Sequence, residues 1–415
     1  MLLARFLQRV IRLGRLTVID ATGLAHSFGP GGPPAVTIRL HDPALHWKLF
    51  LRPELYAGEA YMDGTLTIED ASLYDFLDLM GRNFAAAEGD PLSRTAHRID
   101  RLFRRLQQAN PVGQARQNVA HHYDLCGELY DLFLDEDRQY SCAYFPRSDL
   151  SLDEAQRAKR RHIAAKLRLQ PGMRVLDIGS GWGGLGLWLA ERFDIEVTGL
   201  TLSEEQLKVA RERAAQRGLE DRAQFLLRDY REETGQYDRI VSVGMFEHVG
   251  VRHYGEFFDT VRERLNEDGV ALLHTIGRTD GPGVTTPWIR KYIFPGGYVP
   301  ALSELTPAIE RSRLWITDIE VLRLHYAQTL RHWRQRFLAN RERAAQLYDE
   351  RFCRMWEFYL AGSEIAFRYL DQAVFQVQLT RAIDALPLTR DYMVDAERAL
   401  AVQEERVEEA SDRAA

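Results

Sequence analysis

Cysteine is scarce in this chain of 415 residues. The three present, Cys126, Cys142 and Cys353, stand at spacings that make neither a disulfide framework nor a paired CxxC zinc site, which fits a reducing compartment. Long apolar runs are missing as well. Nothing approaches the roughly 18 consecutive apolar residues of a spanning helix, so an integral membrane protein is not expected and the cytoplasm is the default location. A positive excess is also lacking: the formal charge is −6, which argues against general nucleic-acid affinity. No internal repeat or low-complexity block occurs apart from the acidic end, "AVQEERVEEASDRAA". With 45% apolar and 27% charged residues, the composition is that of an ordinary globular protein long enough for two domains.

Charge is unevenly spread, and the first 120 residues or so are rich in arginine. In "MLLARFLQRVIRLGR", helical spacing places Leu2, Leu3, Phe6, Leu7, Val10 and Ile11 on one face and Arg5, Arg9, Arg12 and Arg15 around the remainder. Arginine recurs too often for a secretory signal. Such a basic amphipathic helix either lies on anionic lipid or packs on its own domain. A second one reads from "TAHRIDRLFRRLQQ", with Ile99, Leu102, Phe103 and Leu106 opposite Arg98, Arg101, Arg104 and Arg105; a solvated connector is the plainer reading. Between them, residues 16–80 read as a small α+β unit of short strands, "WKLFLRP" among them, turns and one helix in "SLYDFLDLM".

From residue 150 onward strand-like and helical segments alternate, which predicts an α/β fold: a doubly wound, mostly parallel sheet with helices on both faces. Ligands bind such a sheet at the carboxyl ends of its strands. Residues 303–395 read as long helices covering one edge. The expected organisation is an amino-terminal lipid- or membrane-associating domain over 1–116, a catalytic domain over 117–395, and a frayed or disordered acidic tail over 396–415.

The segment "VLDIGSGWGGLG" closes on a turn in which Gly179, Gly181 and Gly184 satisfy G-x-G-x-x-G, a pattern shared by two kinds of nucleotide site. A dinucleotide site expects an acid about 20 residues on, at the end of the second strand. Thr201, Leu202 and Ser203 stand there instead. Asp177 lies within the first strand and Asp229 follows the third, the arrangement of S-adenosylmethionine methyltransferases. Asp177 would orient the loop amides or the methionine ammonium, and Asp229 would accept the adenine amino group. Any one of the glycines serves equally as a tight turn.

Six segments in order, "QNVAHHYDLCGELYDLFLDEDRQYSCAYF", "GLTLSEEQ", "GMFEHVGVRHYGEFF", "LLHTIG", "YIFPGGYVP" and "HYAQTL", resemble the cyclopropane-fatty-acyl-phospholipid synthases and their mycolic acid cyclopropanating relatives. The resemblance spans about residues 117 to 380 and implies a class I, Rossmann-like S-adenosylmethionine methyltransferase core with helical additions. It implies transfer of a methylene group to the cis double bond of an unsaturated phospholipid acyl chain, with bound bicarbonate removing the final proton. On that pattern Glu247, His274, Tyr326 and the backbones of Cys142 and Ile276 hold the anion. Tyr140, Ser141, Gly179, Gly181, Thr201, Gln206, Asp229 and Tyr230 meet the cofactor. Trp288, Tyr292, Phe294 and Tyr298, around Gly296 and Gly297, suit either a greasy tunnel with a hinge or plain buried packing. No metal is expected, because Glu247, His248 and His253 lack the HExxH spacing. His121 and His122 read as structural. The alternatives in chemistry are a methyl-branched acyl product and N-methylation of a small amine. The implied partners are membrane phospholipids met reversibly from the cytoplasmic side, with a homodimer plausible by base rate.

Overall fold

The computed structural model describes residues 2–87 and 127–414. The second basic helix, His121, His122 and the expected boundary at 116/117 lie outside the described residues.

The amino-terminal unit runs α1 (Leu2–Val10), β1 (Arg15–Ile19), β2 (Ala25–Phe28), β3 (Ala35–Leu40), α2 (Leu45–Leu51), α3 (Pro53–Met62), β4 (Leu66–Ile68) and α4 (Leu73–Ala87). Its four strands are ordered β2-β1-β3-β4. Of the two readings of the first helix, packing holds for the apolar face: Leu3, Leu7 and Ile11 are buried with Leu16, Leu45 and Phe76, while Arg5 and Arg9 stay exposed. "WKLFLRP" is a helix and not a strand. Leu45 and Leu49, four apart, point inward while Trp47 and Leu51 point out, which is a helical period. Helix α3, begun by Pro53 at its first turn, is a further element that the sequence pattern did not reveal.

From residue 127 the chain continues with α5 (Gly127–Asp131), α6 (Leu152–Leu167), β5 (Arg174–Ile178), α7 (Gly184–Phe193), β6 (Glu196–Thr201), α8 (Glu204–Gln216), β7 (Ala223–Leu227), β8 (Tyr237–Val243), α9 (Tyr254–Arg264) and β9 (Leu265–Arg278). Then come α10 (Pro287–Tyr292), α11 (Leu302–Ser312), β10 (Trp315–Leu322), α12 (His325–Ala339), α13 (Arg341–Leu347), α14 (Glu350–Tyr369), β11 (Gln372–Thr380) and α15 (Asp391–Ala414). The seven strands are ordered β10-β11-β9-β8-β5-β6-β7. β5 through β9 pair in parallel, and β11 is antiparallel to both β9 and β10. Because β5 sits between β6 and β8, the chain leaves its carboxyl end in opposite directions on its two sides, and a crevice opens there.

Two expectations are corrected. Residues 303–395 are not purely helical, since β10 and β11 complete the sheet. Nor does a frayed tail begin at 396: α15 crosses that position, and buried Glu404 is paired with Arg161 and accepts from Trp188 Nε1 at 3.2 Å. A carboxylate held by two donors on α6 and α7 anchors the helix to the core.

Candidate active site

Four of the five residues of β5 are buried, and the chain leaves it through a turn with positive φ at Gly179 (86°), Gly181 (55°) and Gly183 (80°), a backbone path that favours glycine. A Cβ at Gly179 would lie 2.7 Å from Met245 Cβ, whereas one at Gly181 would meet nothing within 4 Å. The turn therefore packs on one side and opens on the other. Its amides of Gly179 and Ser180 both donate to the Leu200 carbonyl at 2.9 Å. Asp177 thus does not orient those amides, contrary to one of its two expected roles. Its Oδ2 is buried without a hydrogen-bond partner, and burial pushes its pKa up to about 7 while the Lys159 charge pulls it down.

At the end of β6, Thr201 Oγ1 donates to Gln206 Oε1 at 3.0 Å, and Ser203 caps α8 by accepting from the Gln206 amide. Asp229 begins a short 3-10 turn. Both of its oxygens already accept from Arg231, at 2.8 Å and 2.7 Å, so an adenine amino group would have to share this carboxylate with that guanidinium. Tyr140 donates to or accepts from Tyr359 at 2.8 Å and stacks on Trp333 at 5.1 Å. All nine expected cofactor residues, Tyr140, Ser141, Asp177, Gly179, Gly181, Thr201, Gln206, Asp229 and Tyr230, line one cavity at the end of β5.

Beyond β8, Glu247 lies in a 3-10 turn at Phe246–His248. Its Oε1 accepts from the Ile276 amide at 2.6 Å. Its Oε2 is buried with no partner, and burial pushes the group up to about 7. The Ile276 backbone thus joins the expected set through Glu247, to which its amide donates. His274 lies opposite Gln376 on β11, with Nδ1 3.1 Å from the Gln376 amide nitrogen. Burial holds its pKa well below the usual imidazole range. With Nδ1 accepting from Gln376, the neutral ring carries its hydrogen on Nε2. Cys142 and Tyr326 sit in one buried aromatic cluster against which Ile276 packs. Burial pushes the Cys142 thiol up, so a thiolate nucleophile is not available there.

The four aromatic residues expected to line a tunnel divide. Trp288 packs on Phe358 and points Nε1 at Met62 Sδ, 3.3 Å away, and Tyr292 donates to Glu59 at 2.9 Å; both face α3. Tyr298 donates to Glu304 at 2.7 Å and lies in the separate core shared by the sheet, α9 and α11. Phe294 lies 6.1 Å from His248 and 5.9 Å from Tyr359, centroid to centroid, and the Tyr298 amide donates to the Glu247 carbonyl at 2.9 Å. His248 itself lines the cavity, with its pKa pushed down to about 4 by burial. In the sequence His248 suggests at most a metal ligand, and its place next to Glu247 is the one signal of this position. Among the described residues no cluster of His, Cys, Asp and Glu could hold a metal ion.

A parallel sheet with this cavity is common to many methyltransferases, and the sequence comparison narrows the field. The profile described as "Mycolic acid cyclopropane synthetase" matches residues 112–377. The chain belongs to that family. Cyclopropane-fatty-acyl-phospholipid synthase of Escherichia coli strain K12 is 39% identical over 85% of this chain and 90% of its own length. Tuberculostearic acid methyltransferase UfaA1 of Mycobacterium tuberculosis is 36% identical over 91% of this chain and 90% of its own. The crystal structure of mycolic acid cyclopropane synthase CmaA1 with SAH and CTAB superposes with a TM-score of 0.61, 35% identity, and coverage of 65% of this chain and 99% of that one. This member of the family is accordingly an S-adenosylmethionine-dependent methyltransferase with a class I fold. The donor set suits that cofactor, since the unpartnered buried oxygen of Asp177 matches an ammonium and the open side of Gly181 leaves room for the nucleoside.

Proposed function

We propose that this enzyme transfers a methylene group from S-adenosylmethionine to the cis double bond of an unsaturated phospholipid acyl chain and closes a cyclopropane ring. The observation that carries the reading is the pair Glu247 and His274: a buried carboxylate with one oxygen unpartnered and a buried neutral imidazole, next to the cofactor cavity. An alkene is a feeble nucleophile with no proton to lose before attack, so alignment with the sulfonium methyl and exclusion of water must supply much of the rate. Methyl transfer leaves a carbocation, and a proton must then leave the new methyl group for the ring to close. Bicarbonate, when bound, supplies the base for that proton. Glu247 Oε2 would accept its hydroxyl, the His274 Nε2 hydrogen and the Tyr326 hydroxyl would donate to its other oxygens, and the Ile276 amide holds Glu247 in place. The name and coverage of the Escherichia coli relative support the phospholipid substrate.

A second reading, methyl transfer that leaves a branched chain, is favoured by UfaA1, whose similarity covers 91% of this chain. Mass spectrometry and NMR decide between them after incubation with vesicles of a cis-unsaturated phospholipid and methyl-labelled cofactor, with and without added bicarbonate. A gain of one methylene that keeps two of the three methyl hydrogens, dependent on bicarbonate, is expected. Because proton loss to a branched exo-methylene group gives the same mass and the same two hydrogens, NMR of the labelled carbon decides: a ring methylene signal establishes cyclopropanation, and an olefinic methylene, or a methyl keeping all three hydrogens once a hydride donor is added, would establish the branched product. An unchanged lipid pool would overturn both and point to a small amine. Reversible docking on anionic lipid through Arg5 and Arg9 belongs to the same proposal.

A further inference from the structure

Helix α6 starts at a capping box between Ser151 and Glu154, and its buried stripe includes two lysines, Lys159 and Lys166. Lys166 has an ordinary reason to be there, an ion pair with Glu320 at 2.5 Å. Lys159 is fully buried, and its ammonium meets two neutral oxygens: Gln139 Oε1 and Ser141 Oγ, each at 2.8 Å. Asp135, Asp137 and Asp177 lie near enough to interact with it electrostatically, but its direct partners are neutral, and burying a charge on neutral partners is costly. Burial pulls its pKa down to about 8, with the charges of Asp135 and Asp137 opposing the fall. Such an arrangement is poor as a stabilising device and calls for another use.

Both acceptors line the cofactor cavity. Gln139 is oriented from its other end, since its amide nitrogen donates to Asp137 Oδ2 at 2.8 Å, so its carbonyl faces Lys159. An ammonium has three hydrogens and no lone pair, so towards it Ser141 Oγ acts only as an acceptor. The serine's own hydrogen is then left to donate elsewhere, and the cavity is beside it. We infer that Lys159 is a positioning residue for S-adenosylmethionine: it makes Ser141 a fixed donor to an oxygen of the cofactor, carboxylate or ribose, and holds Gln139 as the adjoining wall. Without the lysine the hydroxyl rotates freely and presents a lone pair as readily as a hydrogen.

Titration calorimetry with S-adenosylhomocysteine tests the assignment on the full chain, using Lys159→Met, Ser141→Ala and the double variant, with thermal melts alongside. Lys159→Met keeps the length but leaves the Gln139 oxygen without its donor and Asp135 and Asp177 without a nearby positive charge, so its Tm is expected to fall, and binding is read well below it. Its affinity for the product should fall about tenfold, the scale of one cofactor hydrogen bond. Steady-state rates should show the same change in KM for S-adenosylmethionine, with kcat at saturation held within about twofold. Ser141→Ala should lose a similar factor, and in that background Lys159→Met should cost at most about twofold. Equal losses from Lys159→Met with and without Ser141 would overturn the inference, because a merely structural lysine acts in both backgrounds. Should Lys159→Met fail to fold, Ser141→Ala decides: product binding as tight as the wild type overturns the inference, and a tenfold loss upholds it.

Discussion

Two carboxylates in this site carry charge at a cost. Asp177 and Glu247 are each pushed up to about 7 by burial, and each keeps an oxygen without a partner. An acid whose folded pKa is raised is protonated in both states below its unfolded pKa, so the full stability is present there. Stability is lost as pH climbs from about 4 towards 7 and the penalty is constant above, because the unfolded state releases its proton first. For Asp177 the ceiling is on the order of 4 kcal/mol, from about three pKa units. Asp177→Asn is therefore expected to melt higher than the wild type at pH 8 without cofactor, with a smaller gap at pH 5. Saturating S-adenosylhomocysteine should raise the Tm of the wild type more than that of the variant if the carboxylate receives the ligand's ammonium, as proposed. Melts that show no pH-dependent gap would refute this. Glu247→Gln should likewise stabilise the ligand-free protein while lowering turnover about 100-fold or more, with product binding retained by calorimetry.

At the scale of elements, the aromatic loop is seated by the amino-terminal unit. A Cβ on Gly58, inside α3, would collide with the Trp288 indole of α10, and Lys291 and Tyr292 from the same short helix both reach Glu59. Gly58→Ala has no backbone reason to fail, since Gly58 lies within a helix and alanine favours helices. Its effect should come from displacement of α10: about 1–3 kcal/mol of stability by denaturant titration, lower lipid turnover, and unchanged affinity for S-adenosylhomocysteine. Weakened cofactor binding would show that the displacement reaches past Phe294.

The same elements show what the sequence could disclose. The glycine turn, Asp177 and the β5-to-β9 alternation were readable because each strand is a compact apolar run before a helix with its own period. β11 was not, because "QAVFQVQLT" carries Gln376 and Gln378 into a strand that is buried almost throughout. Polar residues there satisfy specific partners, His274 and the Lys166 carbonyl, which no periodicity announces. Helix α2 was misread because seven residues span too few turns to separate a period of 3.6 from one of 2. Within the site, motif resemblance picks out nine residues that line one cavity, whereas Lys159 is hidden as one more basic residue on a charged helix.

For the whole molecule, the question is how a chain with no described helix long and apolar enough to cross a membrane would meet an acyl chain that resides in one. The apolar face of α1 is committed to its own core through Leu3 and Leu7, so that helix cannot dip into the bilayer as a free amphipathic helix does. What remains outward on it is mostly polar, Arg5, Gln8 and Arg9, with Leu2 exposed at its start. Each arginine near an anionic surface is worth on the order of 1 kcal/mol, and the attraction fades beyond the Debye length, about 8 Å at physiological salt. Docking of this kind is electrostatic, reversible and salt-sensitive. Arg5→Glu with Arg9→Glu should therefore reduce co-sedimentation with anionic vesicles at least tenfold at low salt, and about 0.5 M salt should do the same to the wild type. Affinity for S-adenosylhomocysteine should stay unchanged, since among the described residues none of residues 2–87 lines the cavity at the end of β5. Turnover of a short-chain phospholipid dispersed below its micelle concentration should also survive the double substitution, because no surface has to be found. Unchanged sedimentation of the variant would remove α1 from docking, and loss of turnover on the dispersed lipid would mean that these arginines support the catalytic unit itself.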